Sequence, residues 1–177
     1  MSDGITLRDP TAEASGAMRP RVAPPASLAG VTVALLDIGK MRGDEFIDRL
    51  AMLLTERAIA TRRFRKPTNT RTAPVETLQE IATTCSAVVI ALSDCGSCTS
   101  CSTHDLNDLD RRGIPGVNVI TEAFVEAFAG QTRAIGFAGA SVVVAHPVQN
   151  RTTVELHAMA EAALPGVLAA LGVVAAE

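Results

Sequence analysis

Short apolar runs alternate with amphipathic segments along the chain from Gly30 onward. Each run is rich in Val, Ile or Leu and is too short for a helix, which is typical of strands buried in a sheet. The segments that follow the runs place apolar residues three or four positions apart, which predicts amphipathic helices. The runs that predict the five strands are VTVALLDIG, the more polar IATRRFRKP, SAVVIALSD, IPGVNVIT and SVVVAHP.

Proline and capping patterns set the expected ends of these helices. Pro74 suits the start of the second helix. Ser102 and Asp105 fit a capping box, so we expect residues 94–104 to form a loop and a short helix to follow it. Pro165 is expected to divide the helix near the C-terminus in two.

The alternation of strands and helices predicts a single α/β domain over residues 30–177. We expect a three-layer sandwich with a mainly parallel five-stranded sheet and helices on both faces. Residues 1–29 contain four prolines and follow no regular period. They predict an extended N-terminal arm that packs on the domain or on a second copy of the chain, which would make the protein a homo-oligomer.

Composition narrows the class of partner. The chain has a formal charge of −3 and neither Trp nor Tyr, so we expect no binding of nucleic acid. Charged residues interrupt any signal-peptide core at the N-terminus, and the longest apolar run near the C-terminus is too short to cross a bilayer. We therefore expect a soluble, cytoplasmic protein without a membrane partner, in a compartment where thiols are kept reduced.

Polar residues follow each of the predicted strands. The carboxyl ends of parallel strands share one edge of a sheet, and ligands of such folds bind beyond that edge. Fourteen Arg but only two Lys occur in the chain, which favours a chemical role for Lys40 and Lys66. Both follow strands, and we expect them to bind an anionic group of a small-molecule substrate or to lower the pKa of a cysteine. The expected substrate-binding residues are Asp37, Lys40, Lys66, Asp94, Thr121 and His146.

The segment SDCGSCTSCSTHD holds three of the four cysteines at a regular step of three residues, and a histidine follows at the same step. Cys95 and Cys98 form a C-x-x-C pair, a spacing that allows a disulfide across one turn. A position at the start of a helix would acidify the first thiol. Cys85, the fourth cysteine, lies on an apolar helical stripe and is expected in the core.

Two other interpretations of the same segment stay open. In the first, Cys95 is a covalent nucleophile of a non-redox lyase, hydrolase or transferase. In the second, Cys95, Cys98, Cys101 and His104 bind zinc or iron. A step of three falls short of a helical turn by about 60°, so an α-helix would carry His104 to the side opposite Cys95.

Five segments in this order resemble the UGSC family, whose members carry Sec-Gly-Ser-Cys or Cys-Gly-Ser-Cys and are described as selenoproteins or oxidoreductases. The segments are LLDIGK, FRKP, DCGSCTSCSTHD, GIPGVNVIT and HP. The resemblance implies that Cys95 stands at the selenocysteine position and that Cys98 is the resolving cysteine. Its recurrent polar positions fall on Lys40, Lys66, His104, Asp105 and His146. The cysteine segment is also similar to the selenoprotein B subunits of glycine, sarcosine and proline reductases.

Together these patterns predict a thiol-dependent enzyme, an oxidoreductase that acts on a small molecule and is regenerated by a thiol reductant. We expect Cys95 to attack the substrate and Cys98 to resolve the adduct, with Cys101 as a second resolving thiol. His104 is expected to relay protons. No cofactor is predicted, and zinc or iron belongs only to the metal-binding alternative.

Overall fold

The computed structural model describes residues 17–173. Its five strands pair in parallel in the order β2-β1-β3-β4-β5 and form one sheet. This order is that of flavodoxin-like doubly wound folds, so the predicted α/β class and the parallel five-stranded sheet are confirmed. The strands are β1 (Thr32–Asp37), β2 (Ala60–Arg65), β3 (Ala87–Ser93), β4 (Gly116–Thr121) and β5 (Ala140–Val144).

Five helices cover the two faces of the sheet, which gives the predicted three layers. One face packs against α1 and α5, and the opposite face packs against α2, α3 and α4. The strands β3 and β4 are buried along their whole length, because apolar helices lie on both sides of them. Among the helices of residues 17–173, none combines the length and the hydropathy that crossing a bilayer requires. The helices are α1 (Gly43–Thr55), α2 (Val75–Thr84), α3 (Gly96–Arg111), α4 (Val125–Ile135) and α5 (Thr153–Ala170).

The cysteine segment does not form the predicted loop. Helix α3 begins at Gly96, so Cys98, Cys101 and His104 all lie on it. Cys95 is the N-cap, and its side chain accepts a hydrogen bond from the amide of Cys98. A thiol therefore takes the place of the Ser, Thr, Asp or Asn side chain that usually caps a helix. The prediction of a capping box at Ser102 is wrong for this reason.

The last helix is also longer than predicted, because α5 runs through Pro165 without a break. Thr152 and Glu155 form a capping box that fixes its start. Buried residues on both sides of the proline pack in the same core as the sheet and α1, and this packing holds the two halves in line. Tertiary contacts therefore offset the hydrogen bond that Pro165 cannot donate. The buried residues of α5 are Leu156, Ala160, Ala163, Leu164 and Val167.

The described part of the N-terminal arm packs on the domain. The backbone of Arg19 pairs with that of Phe137, and its guanidinium forms an ion pair with Asp110 of α3. Arg21 donates a hydrogen bond to the carbonyl of Ala170 at the end of α5, at 3.0 Å. Residues 1–16 of the arm lie outside the described residues, and its contact with a second copy of the chain stays a prediction.

Candidate active site

The thiols of Cys95 and Cys98 lie together where β3 passes into α3. Their Sγ atoms are 2.7 Å apart, and neither takes part in a disulfide. The amide of Cys98 donates to Cys95 Sγ at 3.3 Å, which is the capping contact of the helix. Cys98 is fully buried, whereas Cys95 is half-buried. The pair therefore presents one accessible sulfur backed by one shielded sulfur.

The two thiols differ in acidity. Burial alone would raise the pKa of Cys95. The pKa nevertheless lies below its ordinary value, because the thiolate accepts hydrogen bonds from the Cys98 thiol, the Ser97 hydroxyl and the Cys98 amide and is also stabilised by the charge of Lys40. Burial, and then the hydrogen bond and charge of Cys95, raise the pKa of Cys98 to about 12. Because the two ionisations are linked, the thiolate of the pair forms at Cys95 while Cys98 keeps its proton.

Asp37 ends β1, the neighbour of β3 in the sheet, and Lys40, which follows it, lies close enough to Cys95 for its charge to act on the thiol. From β1 the chain adds β2 on one side and the later strands on the other, so the strand order reverses between β1 and β3. Ligands of doubly wound folds bind in the crevice at that point. Asp37 is buried, and its Oδ1 accepts a hydrogen bond from the amide of Gly39 at 2.8 Å. Its Oδ2 lies 3.6 Å from Nε of Arg65. Burial raises the pKa of the Asp37 carboxyl.

The charge of Lys40 supplies one prediction that can be tested without a substrate. Replacing Lys40 with glutamine should raise the pKa of Cys95, because the positive charge that stabilises the thiolate is lost. Alkylation of Cys95 by iodoacetamide at pH 6 should then slow roughly two- to fivefold, as expected for one charge acting partly through water. The pH dependence of the labelling rate, followed by mass spectrometry, measures this shift.

The matched control is Arg111→Gln, which removes the same charge from the far end of α3, about 24 Å along the helix axis from Cys95. We expect this variant to be labelled at the wild-type rate. Equal rates for the Lys40 variant and the wild type would contradict the role given to Lys40.

The ends of β3, β4 and β5 bring together three of the predicted residues. Asp94 Oδ1 accepts a hydrogen bond from Thr121 Oγ1 at 3.1 Å and lies 2.7 Å from His146 Nδ1. Thr121 Oγ1 is also 3.1 Å from His146 Nδ1. The backbone amide of Asp94 donates to Cys98 Sγ at 3.2 Å. Asp94 therefore connects the thiol pair with His146, as the parallel sheet leads one to expect.

Lys66 forms a buried ion pair with Asp105. Its ammonium lies 2.6 Å from Asp105 Oδ2, and both side chains are wholly buried. Asp105 Oδ1 accepts the amide of Ala73 at 2.8 Å, which completes the partners of the carboxylate. The charge of Lys66 is thus balanced inside the protein by Asp105, and its expected role in binding an anionic substrate stays a prediction. The same pair explains why Asp105 lies in the middle of α3.

His104 lies away from the thiol pair, whereas Cys101 follows Cys98 by three residues on the same helix. His104 is exposed and stands nine residues after Cys95, about 13 Å along the axis of α3. It lines a different cavity, together with Asp108 and Arg111. His104 therefore lies too far from Cys95 for direct contact, and its expected role as a proton relay stays a prediction. Burial raises the pKa of Cys101, although the charge of Lys66 opposes this effect.

The metal-binding alternative requires four ligands around one point, but α3 carries His104 away from the Cys95–Cys98 pair. Within residues 17–173, no three or more His, Cys, Asp or Glu side chains are grouped so that they could hold a metal ion. The reason is the step of three residues between the four proposed ligands, because this step rotates successive side chains around an α-helix. The four residues proposed as zinc or iron ligands are Cys95, Cys98, Cys101 and His104.

Sequence reasoning missed two polar neighbours of Cys95. Ser97 Oγ is 3.6 Å from Cys95 Sγ, and Asn69 Nδ2 is 3.8 Å from the same sulfur. Ser97 lies inside the Cys-Gly-Ser-Cys motif and could have been found there. Asn69 lies in the loop after β2, where no periodic pattern marks it.

Comparisons with known proteins agree with the resemblance seen in the cysteine segment. The model of the UGSC family matches residues 6–173. No curated protein matches the sequence. Among solved structures, a diflavin flavoprotein A3 from Nostoc sp. is 14% identical, with a TM-score of 0.46, over 81% of this chain and 92% of that one. A flavodoxin-like domain from a Synechococcus sp. protein is 12% identical, with a TM-score of 0.45, over 80% of this chain and 95% of that one. The match to the family model spans nearly the whole chain, which therefore belongs to the UGSC family.

Proposed function

We propose that this protein is a thiol-dependent oxidoreductase that reduces a small molecule through Cys95 and Cys98. The observation that carries the proposal is the contact between two thiols of opposite character, 2.7 Å apart. The pKa of the accessible thiol is lowered, and the pKa of the buried thiol is raised to about 12. An acidified attacking sulfur next to a protonated partner is the arrangement that thiol–disulfide exchange needs.

With a small disulfide as substrate, the reaction runs in two steps. The Cys95 thiolate attacks one sulfur of the substrate, forms a mixed disulfide and expels the other half, which takes up one proton. Cys98 then attacks Cys95 Sγ, gives its proton to the second half and closes the Cys95–Cys98 disulfide. The substrate gains two electrons and the protein dithiol loses them. A thiol reductant from outside the protein restores the dithiol.

The location of the pair supports the proposal. Cys95 caps α3, so the free amides and the positive end of the helix dipole face its sulfur. Lys40 stands at the neighbouring strand end and adds a positive charge, which suits an anionic substrate as well as the thiolate. The fully buried Cys98 is shielded from reagents in solution, so it reacts with an adduct on Cys95 rather than with a second substrate molecule.

The experiment that tests the function is turnover of a small disulfide with a dithiol reductant in excess. Hydroxyethyl disulfide is a suitable probe, and its consumption is followed after the uncatalysed reaction with the reductant is subtracted. We expect the rate to be proportional to protein concentration and to be abolished by prior alkylation of Cys95. A rate that never exceeds the uncatalysed reaction would contradict a disulfide-reducing activity.

A second candidate function rests on the 2.7 Å contact between the two sulfurs, in which the Cys98 thiol donates to Cys95 Sγ once Cys95 has lost its proton. This bond stabilises a thiolate without any redox step, so Cys95 could act as a covalent nucleophile of a lyase, hydrolase or transferase. Such an enzyme needs Cys98 only as a hydrogen-bond donor. Replacing Cys98 with serine, which still donates, would then preserve the wild-type rate of turnover, whereas a redox couple is strongly slowed.

A further inference from the structure

We propose that His146, held by Asp94 and Thr121, is the acid that protonates the group expelled when Cys95 attacks its substrate. This inference rests on the proposed function and names the class of substrate that the site suits. Such a substrate has a basic leaving group, as in an alkyl disulfide, because only a basic group needs a proton in order to leave.

The hydrogen bonds around His146 fix which nitrogen carries a proton. The hydroxyl of Thr121 donates its single hydrogen to Asp94 Oδ1, so its oxygen can only accept from His146. Asp94 Oδ1 is itself an acceptor at 2.7 Å from Nδ1. Two acceptors at Nδ1 require a hydrogen on that nitrogen. Nε2 is then the atom through which the ring exchanges protons with a ligand.

The surroundings of His146 leave room for a ligand. The imidazole is 35% exposed, and it lines a cavity of about 350 Å³ with Asp94, Pro147, Gln149 and Asn150. Asp94 directly precedes Cys95 in the chain, and consecutive Cα atoms are about 3.8 Å apart. The cavity therefore includes the residue next to the attacking cysteine in the chain, at the end of β3. A substrate on Cys95 can extend toward His146 from this point.

The charges that face His146 come from three elements. Asp94 at the end of β3 contacts the ring, and its buried carboxylate at Nδ1 fixes the orientation of the imidazole. Glu122, which follows β4, accepts the backbone amide of His146 at 3.2 Å. Arg151, before α5, donates to its carbonyl at 3.4 Å. The two further charges thus contact the backbone of His146, and the ring itself faces Asp94.

In the proposed attack, His146 supplies the proton that the leaving group needs. The Cys95 thiolate forms a bond to one sulfur of the substrate, and the sulfur–sulfur bond of the substrate breaks. The expelled thiolate takes a proton from His146 Nε2 and leaves as a neutral thiol. His146, now neutral with Nδ1 still bonded to Asp94, regains its proton from solvent.

The test compares two probes with the fully reduced protein in single-turnover reactions. Hydroxyethyl disulfide expels an alkyl thiolate, which is basic and needs a proton. 5,5′-Dithiobis(2-nitrobenzoate) expels an acidic aryl thiolate, which leaves without one. In His146→Gln, we expect the reaction with the alkyl disulfide to slow about 100-fold, at the lower end of typical general acid catalysis. The reaction with the aryl disulfide should stay within about twofold of the wild-type rate.

His157→Gln is the matched control, because it removes the same side chain from α5 and should leave both rates unchanged. The preserved aryl reaction of His146→Gln also shows that the variant is folded and that Cys95 is reactive. Equal slowing with both probes would overturn the inference, since His146 would then act on the thiolate rather than on the leaving group. Unchanged rates with both probes would overturn it as well. A wild-type protein that reacts with neither probe would instead overturn the proposed function on which the inference rests.

Discussion

Replacing Cys98 with serine should strongly slow turnover of a small disulfide while Cys95 still attacks it, because only the added dithiol is then left to release the adduct. The attacking sulfur survives in this variant, but the thiol that releases the product is gone, so a mixed disulfide accumulates on Cys95. Cys95→Ser should lose both the adduct and turnover, by at least about 1,000-fold, as is typical when a catalytic nucleophile is removed. Intact-protein mass spectrometry after mixing with the probe detects the adduct, and its loss on adding a dithiol shows that it is a disulfide.

Cys85→Ala is the control for these two variants. Cys85 is buried beside α2, and burial raises the pKa of its thiol, so it should neither attack nor resolve. We expect this variant to turn over normally and to be less stable at most. Normal turnover by Cys98→Ser would contradict the redox couple and favour the covalent nucleophile. Turnover lost only in a Cys98→Ser/Cys101→Ser double variant would make Cys101 a second resolving thiol.

Replacing Lys66 with methionine should lower the free energy of unfolding by about 3–5 kcal/mol, the usual cost of breaking a buried ion pair by removing one partner. The variant leaves the carboxylate of Asp105 buried without its counter-ion. Urea denaturation at pH 7 measures the loss. Lys66→Met combined with Asp105→Leu should recover most of it, because no charge is then left buried.

The pH dependence of the Lys66 variant has a defined sign. Burial already raises the pKa of Asp105, and Lys66 opposes this effect. Without Lys66 the pKa rises further, so the folded variant binds a proton that the unfolded chain has released, and its stability falls as pH rises above the ordinary carboxyl range. The deficit relative to wild type should therefore be smaller at pH 5 than at pH 7.

Arg62→Met serves as the control, because it removes a cation from an exposed ion pair with Glu80 on the surface. Exposed pairs contribute little, so we expect a change within about 0.5 kcal/mol. A Lys66 variant that is no less stable than the Arg62 variant would contradict the structural role given to the buried pair. It would also favour the expectation that Lys66 binds the substrate.

The fold could be predicted from the sequence because each strand and helix is marked by the apolar pattern of its own residues. The run SAVVIALSD holds six consecutive apolar residues, which a strand buried on both faces explains, as β3 shows. The repeated order of strand and helix then leaves few topologies. The same order predicted that Asp94, Thr121 and His146 would meet at one edge, and the structure brings these three together.

Long-range contacts explain where the sequence reasoning failed in the cysteine segment. The pattern of Ser102 and Asp105 resembles a capping box, but Asp105 is the partner of Lys66, which lies 39 residues away in the chain. No local pattern reports such a pair. The true cap is the thiol of Cys95, a residue type outside the usual set of helix caps. Once α3 starts at Gly96, the regular step of three no longer gathers the cysteines and His104.

Pro165 shows a related limit. Its effect on an isolated helix is unfavourable, and the prediction of two helices followed from that intrinsic preference. In the protein, buried residues on both sides of it pack in one core, and the packing decides the outcome. Preferences of single residues are therefore weaker guides here than the period of the apolar stripe.

The most direct test of the account is a peptide map of the oxidised protein. All four cysteines would share one tryptic peptide, but cleavage before aspartate releases residues 94–104 with Cys95, Cys98 and Cys101 and without Cys85. After mild oxidation and alkylation, we predict that this peptide lacks about two hydrogens, as one disulfide requires, and carries its single alkyl group on Cys101. Reduction before alkylation should place alkyl groups on all three cysteines. A disulfide that joins Cys101 or Cys85, or a peptide with three alkyl groups after oxidation, would contradict the Cys95–Cys98 couple.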